Sequence, residues 1–312
     1  MSLRRTATNV AASVRDRLKA LARTRGVEFQ LVLSEFAVER LLYRLGGSVH
    51  SERFVLKGAT LFKLWSPQDR RATWDLDLLG RGFGQVSEIV AAVRELCGVD
   101  GRDGIVFDPE TIVGEEIRDP NQYGGVRVRL QAHLAGARIP VQVDVGFGDA
   151  VVPAPTMEEY PVLLDHAPPR ILTYPREAVV AEKLEAIVSL GVTNTRLKDL
   201  YDLHQLAGSF PFDGASLTRA VRATFQRRGT PLPEDTPLLL TAEFSRSPDR
   251  EIQWRAFLRR SRLEGPRDAG TLVEDLRAFL LPVLEAAARD GSLEASWDPG
   301  RAWVPERNER DE

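Results

Sequence analysis

The sequence is poor in the residues that form covalent cross-links and thiolate metal sites. Of its 312 residues one is cysteine, Cys97, and four are histidine. A single cysteine excludes an internal disulfide and a thiolate zinc site, and the histidines show no metal-ligand spacing. A metal site in this chain therefore needs oxygen ligands.

Long apolar segments are also missing. No run approaches the roughly 18 to 20 consecutive apolar residues of a membrane span, and MSLRRTATNV lacks the apolar core of a signal peptide. Together with the near absence of cysteine, this predicts a cytoplasmic protein with no membrane association.

An excess of positive charge is missing as well, since the net charge is −3 and the pI is near 6.0. The whole molecule is therefore not marked as a nucleic-acid binder. The first predicted helix is locally basic, since Asp16 is its one acidic residue. Its basic residues are Arg4, Arg5, Arg15, Arg17, Lys19, Arg23 and Arg25. Such a run suits a phosphate backbone, but a solvated charged face is the somewhat commoner explanation of a single run. A second basic surface is suggested by Arg227, Arg228, Arg259 and Arg260 around Trp254.

Hydrophobic periodicity predicts an α+β protein. Residues 1–155 combine two N-terminal helices with a mixed β-sheet core, and the last two strands of that core form a hairpin around Gly136. Residues 156–312 give five helical patterns and predict a C-terminal helical bundle. The tail from Trp297 is expected to be loosely held.

The segment RATWDLDLLG places two carboxylates at alternate positions of a predicted strand. Asp75 and Asp77 therefore leave one face of the strand together, while Leu76 and Leu78 point toward a core. Two anions held this close repel each other, so the pair suggests a divalent cation.

A third carboxylate lies in PVQVDVGFG, where Asp144 alternates with three valines and so occupies the less apolar face. Meeting the first two, it would complete an oxygen site for Mg²⁺. The alternative is an ordinary strand-end aspartate facing water.

A phosphate-binding turn is suggested by LKGAT. Gly58, Ala59 and Thr60 stand between a predicted strand and helix, next to Lys57, where small residues let the backbone approach a triphosphate. A glycine at such a turn is more often only conformational.

Four segments together resemble the motifs of AbiEii-type nucleotidyltransferase toxins of type IV toxin–antitoxin systems. They are LKGATLFKLW, RRATWDLDL, EKLEAIVSLG and RLKDLYDLHQL. The resemblance implies a nucleotidyltransferase-type mixed sheet with an active site in the groove between the two halves. It implies transfer of a nucleoside monophosphate (NMP) from an NTP to an acceptor, for several relatives the 3′ end of tRNA. Such transfer would block aminoacylation and translation, and it implies a cognate antitoxin.

The resemblance also assigns site residues. The catalytic residues would be Asp75, Asp77, Lys183, Asp199 and Asp144. The nucleotide would be bound by Lys57, Gly58, Ala59, Thr60, Thr73 and Lys183. The Mg²⁺ ligands would be Asp75, Asp77 and Asp144. Asp199 and Asp202 lie one helical turn apart, a spacing that by itself is more typical of a solvated face. The family pattern places Asp199 ahead of Asp202.

Two departures and two rival functions accompany this assignment. Ala59 stands where relatives often carry Gly or Ser, and Thr73 is either a phosphate contact, a modification site or an ordinary strand residue. The rivals are a nucleotidyltransferase acting on a small molecule or protein, and a catalytically inactive regulatory module.

Overall fold

Contacts within the chain divide it into two units. The first comprises Met1–Gly148 and Thr156–Thr173, and the second comprises Asp149–Pro155 and Tyr174–Glu312. The structure is a computed structural model that describes residues 2–65, 73–83, 85–117, 124–191 and 197–305, with side chains from Val10 onward.

Four helices belong to the first unit: α1 (Ser2–Arg25), α2 (Phe29–Gly46), α3 (Phe62–Trp65) and α4 (Val86–Cys97). Helix α1 buries Val14, Leu18 and Ala22, which recur every four residues and so form one stripe along the helix. This stripe faces α2, most of whose residues are buried. The basic residues of α1 from Arg15 onward are exposed.

The core of the first unit is a seven-stranded sheet. Its strands are β1 (Phe54–Lys57), β2 (Asp75–Gly80), β3 (Val106–Ile117), β4 (Gly125–Leu134), β5 (Ala137–Phe147), β6 (Thr156–Glu159) and β7 (Arg170–Thr173). They are ordered β3-β4-β5-β2-β1-β7-β6, with β2 parallel to β5, β1 parallel to β7 and the other pairs antiparallel. The α+β class and the mixed sheet are as predicted.

The β4–β5 hairpin fixes the register of the central strands. Leu134 pairs with Ala137, and the two turn residues Ala135 and Gly136 have φ values of 45° and 81°. Positive φ at both positions defines a primed turn, whose twist matches that of the flanking strands. The predicted hairpin around Gly136 is confirmed.

Residues 156–173 join the sheet of the first unit, although the sequence pattern assigned them to the helical half. Strand β7 pairs Leu172 with Val55 of β1, and β6 covers the outer side of β7. Each strand has only four residues. All four residues of β6 are exposed, and β7 alternates in burial but not in its sequence, because Ile171 and Leu172 are adjacent apolar residues. Neither sequence therefore shows the apolar–polar alternation that predicts a strand.

The second unit is mainly helical. Its helices are α5 (Arg176–Leu190), α6 (Leu197–Ser209), α7 (Gly214–Arg228), α8 (Ala242–Ser245), α9 (Pro248–Ser261) and α10 (Ala269–Ala288). Side-chain caps set two of the helix starts, because Asp213 accepts from the Ser216 amide and Asp268 from the Thr271 amide. A small antiparallel sheet of β8 (Phe212–Asp213), β9 (Ala295–Trp297) and β10 (Trp303–Pro305) completes the unit.

The expectation of a loosely held tail is wrong for residues 297–305. Trp297 is buried and its indole N–H donates to the Ala207 carbonyl at 2.7 Å. The Trp303 indole donates to the Phe279 carbonyl at 3.0 Å and stacks on the Phe279 ring. Residues 306–312 lie outside the described part of the chain. Within the described ranges, no helix is long and apolar enough to cross a membrane.

Candidate active site

A row of charged residues crosses five neighbouring strands of the sheet. From β3 to β1, paired directly in register, the residues are Glu115, Arg127, Asp144, Asp77 and Lys57. Directly paired residues point to the same face of a sheet, so these five side chains share one face. The two anions Asp144 and Asp77 are adjacent at the centre, and a cation follows on either side.

The predicted carboxylate pair of β2 lies on this face. Leu76 and Leu78 are buried on the opposite face, whereas Asp75 and Asp77 are each half-buried. Asp144 occupies the less apolar face of β5, as predicted, and is the register partner of Asp77. The structure therefore brings all three aspartates to one face.

Asp144 is held by an arginine that sequence reasoning missed. Arg127 forms a two-pronged ion pair with it, from Nε to Oδ1 at 2.8 Å and from Nη2 to Oδ2 at 2.6 Å. These hydrogen bonds raise the pKa of Arg127, although partial burial acts to lower it. A signal existed, since the alternation in GGVRVRLQAH puts Arg127 and Arg129 on the polar face of a strand next to Asp144.

Gly58 brings the main chain against Asp77. Its φ is +69°, and a Cβ built there would lie 2.1 Å from Oδ2 of Asp77. Any side chain at this position would collide with the carboxylate, so the glycine is required by conformation and by space.

The helix predicted after Gly58 begins as a 3₁₀ turn and not as an α-helix. One 3₁₀ turn, Gly58–Leu61, is followed by the four residues of α3, and residues 66–72 lie outside the described part. The Thr60 hydroxyl is buried and donates to the Asp75 carbonyl at 3.2 Å, and the Thr73 hydroxyl reaches the same carbonyl at 3.5 Å. A phosphate bound here would therefore rely on main-chain N–H groups more than on a helix dipole.

The donor set fits a magnesium ion bound through two carboxylates. Mg²⁺ usually takes one or two protein carboxylates and completes its shell with water and substrate phosphates, which Asp75 and Asp77 would allow. In the described part of the chain, no group of three or more His, Cys, Asp or Glu side chains is arranged to hold a metal ion. The predicted third ligand, Asp144, is engaged by Arg127 instead.

The downstream motifs form a second cluster, within the second unit. Lys183 of α5 donates to Asp199 and Asp202 of α6, each at 2.8 Å from Nζ. Both aspartates are buried, so the alternative of a solvated acidic face is wrong. Burial acts to lower the pKa of Lys183, but the Asp202 and Asp199 carboxylates outweigh it and raise that pKa. The ammonium therefore stays charged at physiological pH.

Of the two predicted basic surfaces, one is present on the exposed face of α1. It consists of Arg15, Arg17, Lys19, Arg23 and Arg25; the side chains of Arg4 and Arg5 lie outside the described part. Two of the five have acidic neighbours, since Arg17 pairs with Asp165 and Arg25 with Glu35.

The second predicted basic surface is wrong at its centre. Trp254 is fully buried, and its indole donates to the Pro266 carbonyl. Arg228 is bound to Glu185 at 2.6 Å and lies near Asp149 and Glu182. Trp254 and Arg228 are therefore not part of an open binding surface, whereas Arg227, Arg259 and Arg260 are exposed.

Comparison with known proteins identifies the family. Residues 40–281 match the family described as nucleotidyl transferase AbiEii toxin, type IV TA system. Two crystal structures from Helicobacter pylori are similar at 16% sequence identity and a TM-score of 0.45. One is JHP933, aligned over 80% of this chain and 90% of its own; the other, provisionally described as a nucleotidyltransferase, is aligned over 82% and 96%.

No curated protein matches the sequence significantly. The family match covers most of the chain, including the Asp75–Asp77 strand and the Lys183 and Asp199 motifs. The chain therefore belongs to the AbiEii family of nucleotidyltransferase toxins of type IV toxin–antitoxin systems.

Proposed function

We propose that the protein transfers a nucleoside monophosphate from an NTP to the 3′ hydroxyl of an RNA, with tRNA as the acceptor. Extension of a finished tRNA end would block aminoacylation and so translation, in the cytoplasm and under control of a cognate antitoxin. The observation that carries the proposal is the Asp75–Asp77 pair, which shares a sheet face with Asp144 and lies against the Gly58 turn.

In this proposal Asp75 and Asp77 hold Mg²⁺, which when bound neutralises phosphate charge and orients the reacting oxygens. The 3′ oxygen forms a bond to the α-phosphorus, the bond from that phosphorus to the β-phosphate oxygen breaks, and pyrophosphate leaves. The hydroxyl proton passes to water or to a carboxylate of the site, for which Asp144 is the candidate. Catalysis is then mainly positioning and electrostatics.

Cationic side chains would bind the triphosphate. Lys57 is the register partner of Asp77 and therefore faces the same side of the sheet. Lys183 is assigned by the family motif, with Asp199 and Asp202 fixing its ammonium. An ammonium has three donors, so two bonds to aspartates leave the third for a phosphate oxygen.

The acceptor is inferred from the exposed basic residues of α1. A helix with five exposed cations is suited to a phosphate backbone, whereas a small acceptor would not need it. Binding of tRNA should therefore weaken steeply with salt, and replacement of Arg15 and Lys19 by glutamine should reduce that salt dependence.

The test incubates purified protein with total tRNA, Mg²⁺ and each labelled NTP in turn. We expect label in the tRNA with at least one NTP, loss of label in Asp75→Asn, and retention in Glu159→Gln, a charge change on the exposed strand β6. Folded protein that labels nothing would favour the inactive regulatory module. Label only in a small molecule or a protein would overturn the RNA acceptor.

A further inference from the structure

The bidentate ion pair between Arg127 and Asp144, called the fork below, fixes a cation within the row of charged residues that crosses the sheet. Asp144 is 18% exposed and Arg127 31% exposed at the side chain, so both charges are partly withdrawn from solvent. A bidentate arginine–carboxylate pair uses both oxygens of the carboxylate and is stronger than a single hydrogen bond. Asp144 is further fixed by the Gln142 side-chain amide, which donates to Oδ2 at 3.4 Å.

The fork addresses an electrostatic problem of the metal-free site. Asp77 and Asp144 are direct neighbours on parallel strands, and like charges placed opposite each other in a sheet are destabilising. The guanidinium of Arg127, bound to Asp144, offsets this repulsion. The same charge opposes a metal ion at Asp144, because a dication placed there would stand beside a guanidinium.

Arg127 also has a second carboxylate within its row. On β3, the register partner of Arg127 is Glu115, whose negative charge acts on Arg127. Glu115 itself forms an ion pair with Arg129, with 2.8 Å between Oε1 and Nη2. A guanidinium that leaves Asp144 would therefore still face an anion, or would meet the phosphates of an arriving nucleotide.

We propose that Arg127 is a positioning residue that keeps Asp144 out of metal coordination until a nucleotide is present. It thereby weakens the binding of free divalent cations and makes the site load metal together with an NTP, whose triphosphate competes for the guanidinium. This inference rests on the proposed metal-binding role of Asp75 and Asp77.

The test measures binding of Mn²⁺ alone, as a spectroscopic substitute for Mg²⁺, by electron paramagnetic resonance on the full chain without nucleotide. Altered partners of metal ligands change metal affinity by about 10- to 100-fold, and we expect Arg127→Gln to bind Mn²⁺ about tenfold more tightly than the unmodified protein. The matched control Arg129→Gln removes an equal charge from the same strand face and should change affinity by less than about twofold.

A second substitution separates the proposed cause from a general charge effect. In Arg127→Gln combined with Asp144→Asn, the gain should disappear, because the carboxylate that it releases is gone. A gain that survives Asp144→Asn, or an Arg127→Gln affinity equal to that of Arg129→Gln, would overturn the inference.

Two further variants complete the design. If Arg127→Gln does not fold, Arg127→Lys keeps the charge without the fork and should bind Mn²⁺ about threefold more tightly; unchanged affinity in the folded variant would again contradict the proposal. Asp75→Asn and Asp77→Asn should each abolish Mn²⁺ binding. If they do not, the metal site of the proposed function fails, which is distinguishable from a failure of Arg127 alone.

Discussion

At the scale of single residues, the site depends on how closely the main chain approaches Asp77. Gly58 has φ +69° and leaves no room for a Cβ beside the carboxylate. The sequence indicates only the conformational requirement, because a glycine between strand and helix is common without any function. The space requirement follows from the pairing of β1 with β2.

Replacement of Gly58 by alanine should separate these two requirements. The left-handed backbone costs about 1–3 kcal/mol for a residue with a side chain, and displacement of Asp77 by about 1 Å should reduce NMP transfer by about 100-fold. The matched control is Gly26→Ala, at φ +63° with nothing within 4 Å of the added Cβ. Denaturant unfolding should show the backbone cost in both variants and a larger loss in Gly58→Ala, whose added Cβ also collides with Asp77, and labelled-NTP transfer should be lost only in Gly58→Ala.

Lys183 is a second residue whose environment the sequence indicated only in part. The motif gave the residue, but the two bonds to Asp199 and Asp202 depend on the packing of α5 against α6. Its folded pKa is raised above the ordinary value of 10.5, so the charged ammonium stabilises the fold below that pH wherever Asp199 and Asp202 are ionised, and this effect is lost as pH rises through the raised value.

Lys183→Met should therefore be destabilising, because it leaves two buried carboxylates without their cation. We expect a loss of about 3–5 kcal/mol in the free energy of unfolding at pH 8, measured with urea. The loss should be smaller at pH 5, where the unpaired carboxylates can take up protons. Lys198→Met, an exposed change at the start of α6, should stay within about 0.5 kcal/mol. Equal losses for the two variants would contradict a buried role for Lys183.

At the scale of elements, the sequence was most informative where one strand carries its own alternation. Asp75 and Asp77 share a face because of spacing within β2 alone, and this was predictable. Arg127 meets Asp144 only through the register that the Ala135–Gly136 turn imposes on β4 and β5. Single-strand patterns contain no information on register unless the turn is analysed with them.

Short strands were the other elements that sequence reasoning missed. Strand β10 has three residues, and the packing of Trp303 against Phe279 determines its position more than any pattern of alternation. The tryptophans of the tail were visible in the sequence, but their partners in α6 and α10 were not.

Trp303→Ala tests whether the tail belongs to the second unit. Removal of the ring should cost about 2–3 kcal/mol in the free energy of unfolding, less than for a fully buried tryptophan because Trp303 is partly exposed. Val304→Ala, where the side chain is about half exposed, should change the same quantity by less than about 0.5 kcal/mol. A Trp303 variant as stable as the Val304 variant would show that the tail contributes nothing.

At the scale of the whole molecule, the family and the chemistry lead to one enzyme class. The AbiEii match spans parts of both units, and the first unit presents a carboxylate face together with an exposed basic helix. The α+β class was predictable from periodicity, while the return of residues 156–173 to the sheet was not, because it depends on tertiary pairing with β1. The acceptor and the metal ion stay proposals.

The most direct measurement follows labelled NMP onto purified tRNA, compared with the same tRNA whose 3′ terminal diol has been oxidised by periodate. The account predicts label on the intact tRNA only, lost in Asp77→Asn and retained in Glu159→Gln. Equal label on oxidised tRNA, or no label from any of the four NTPs with folded protein, would contradict it.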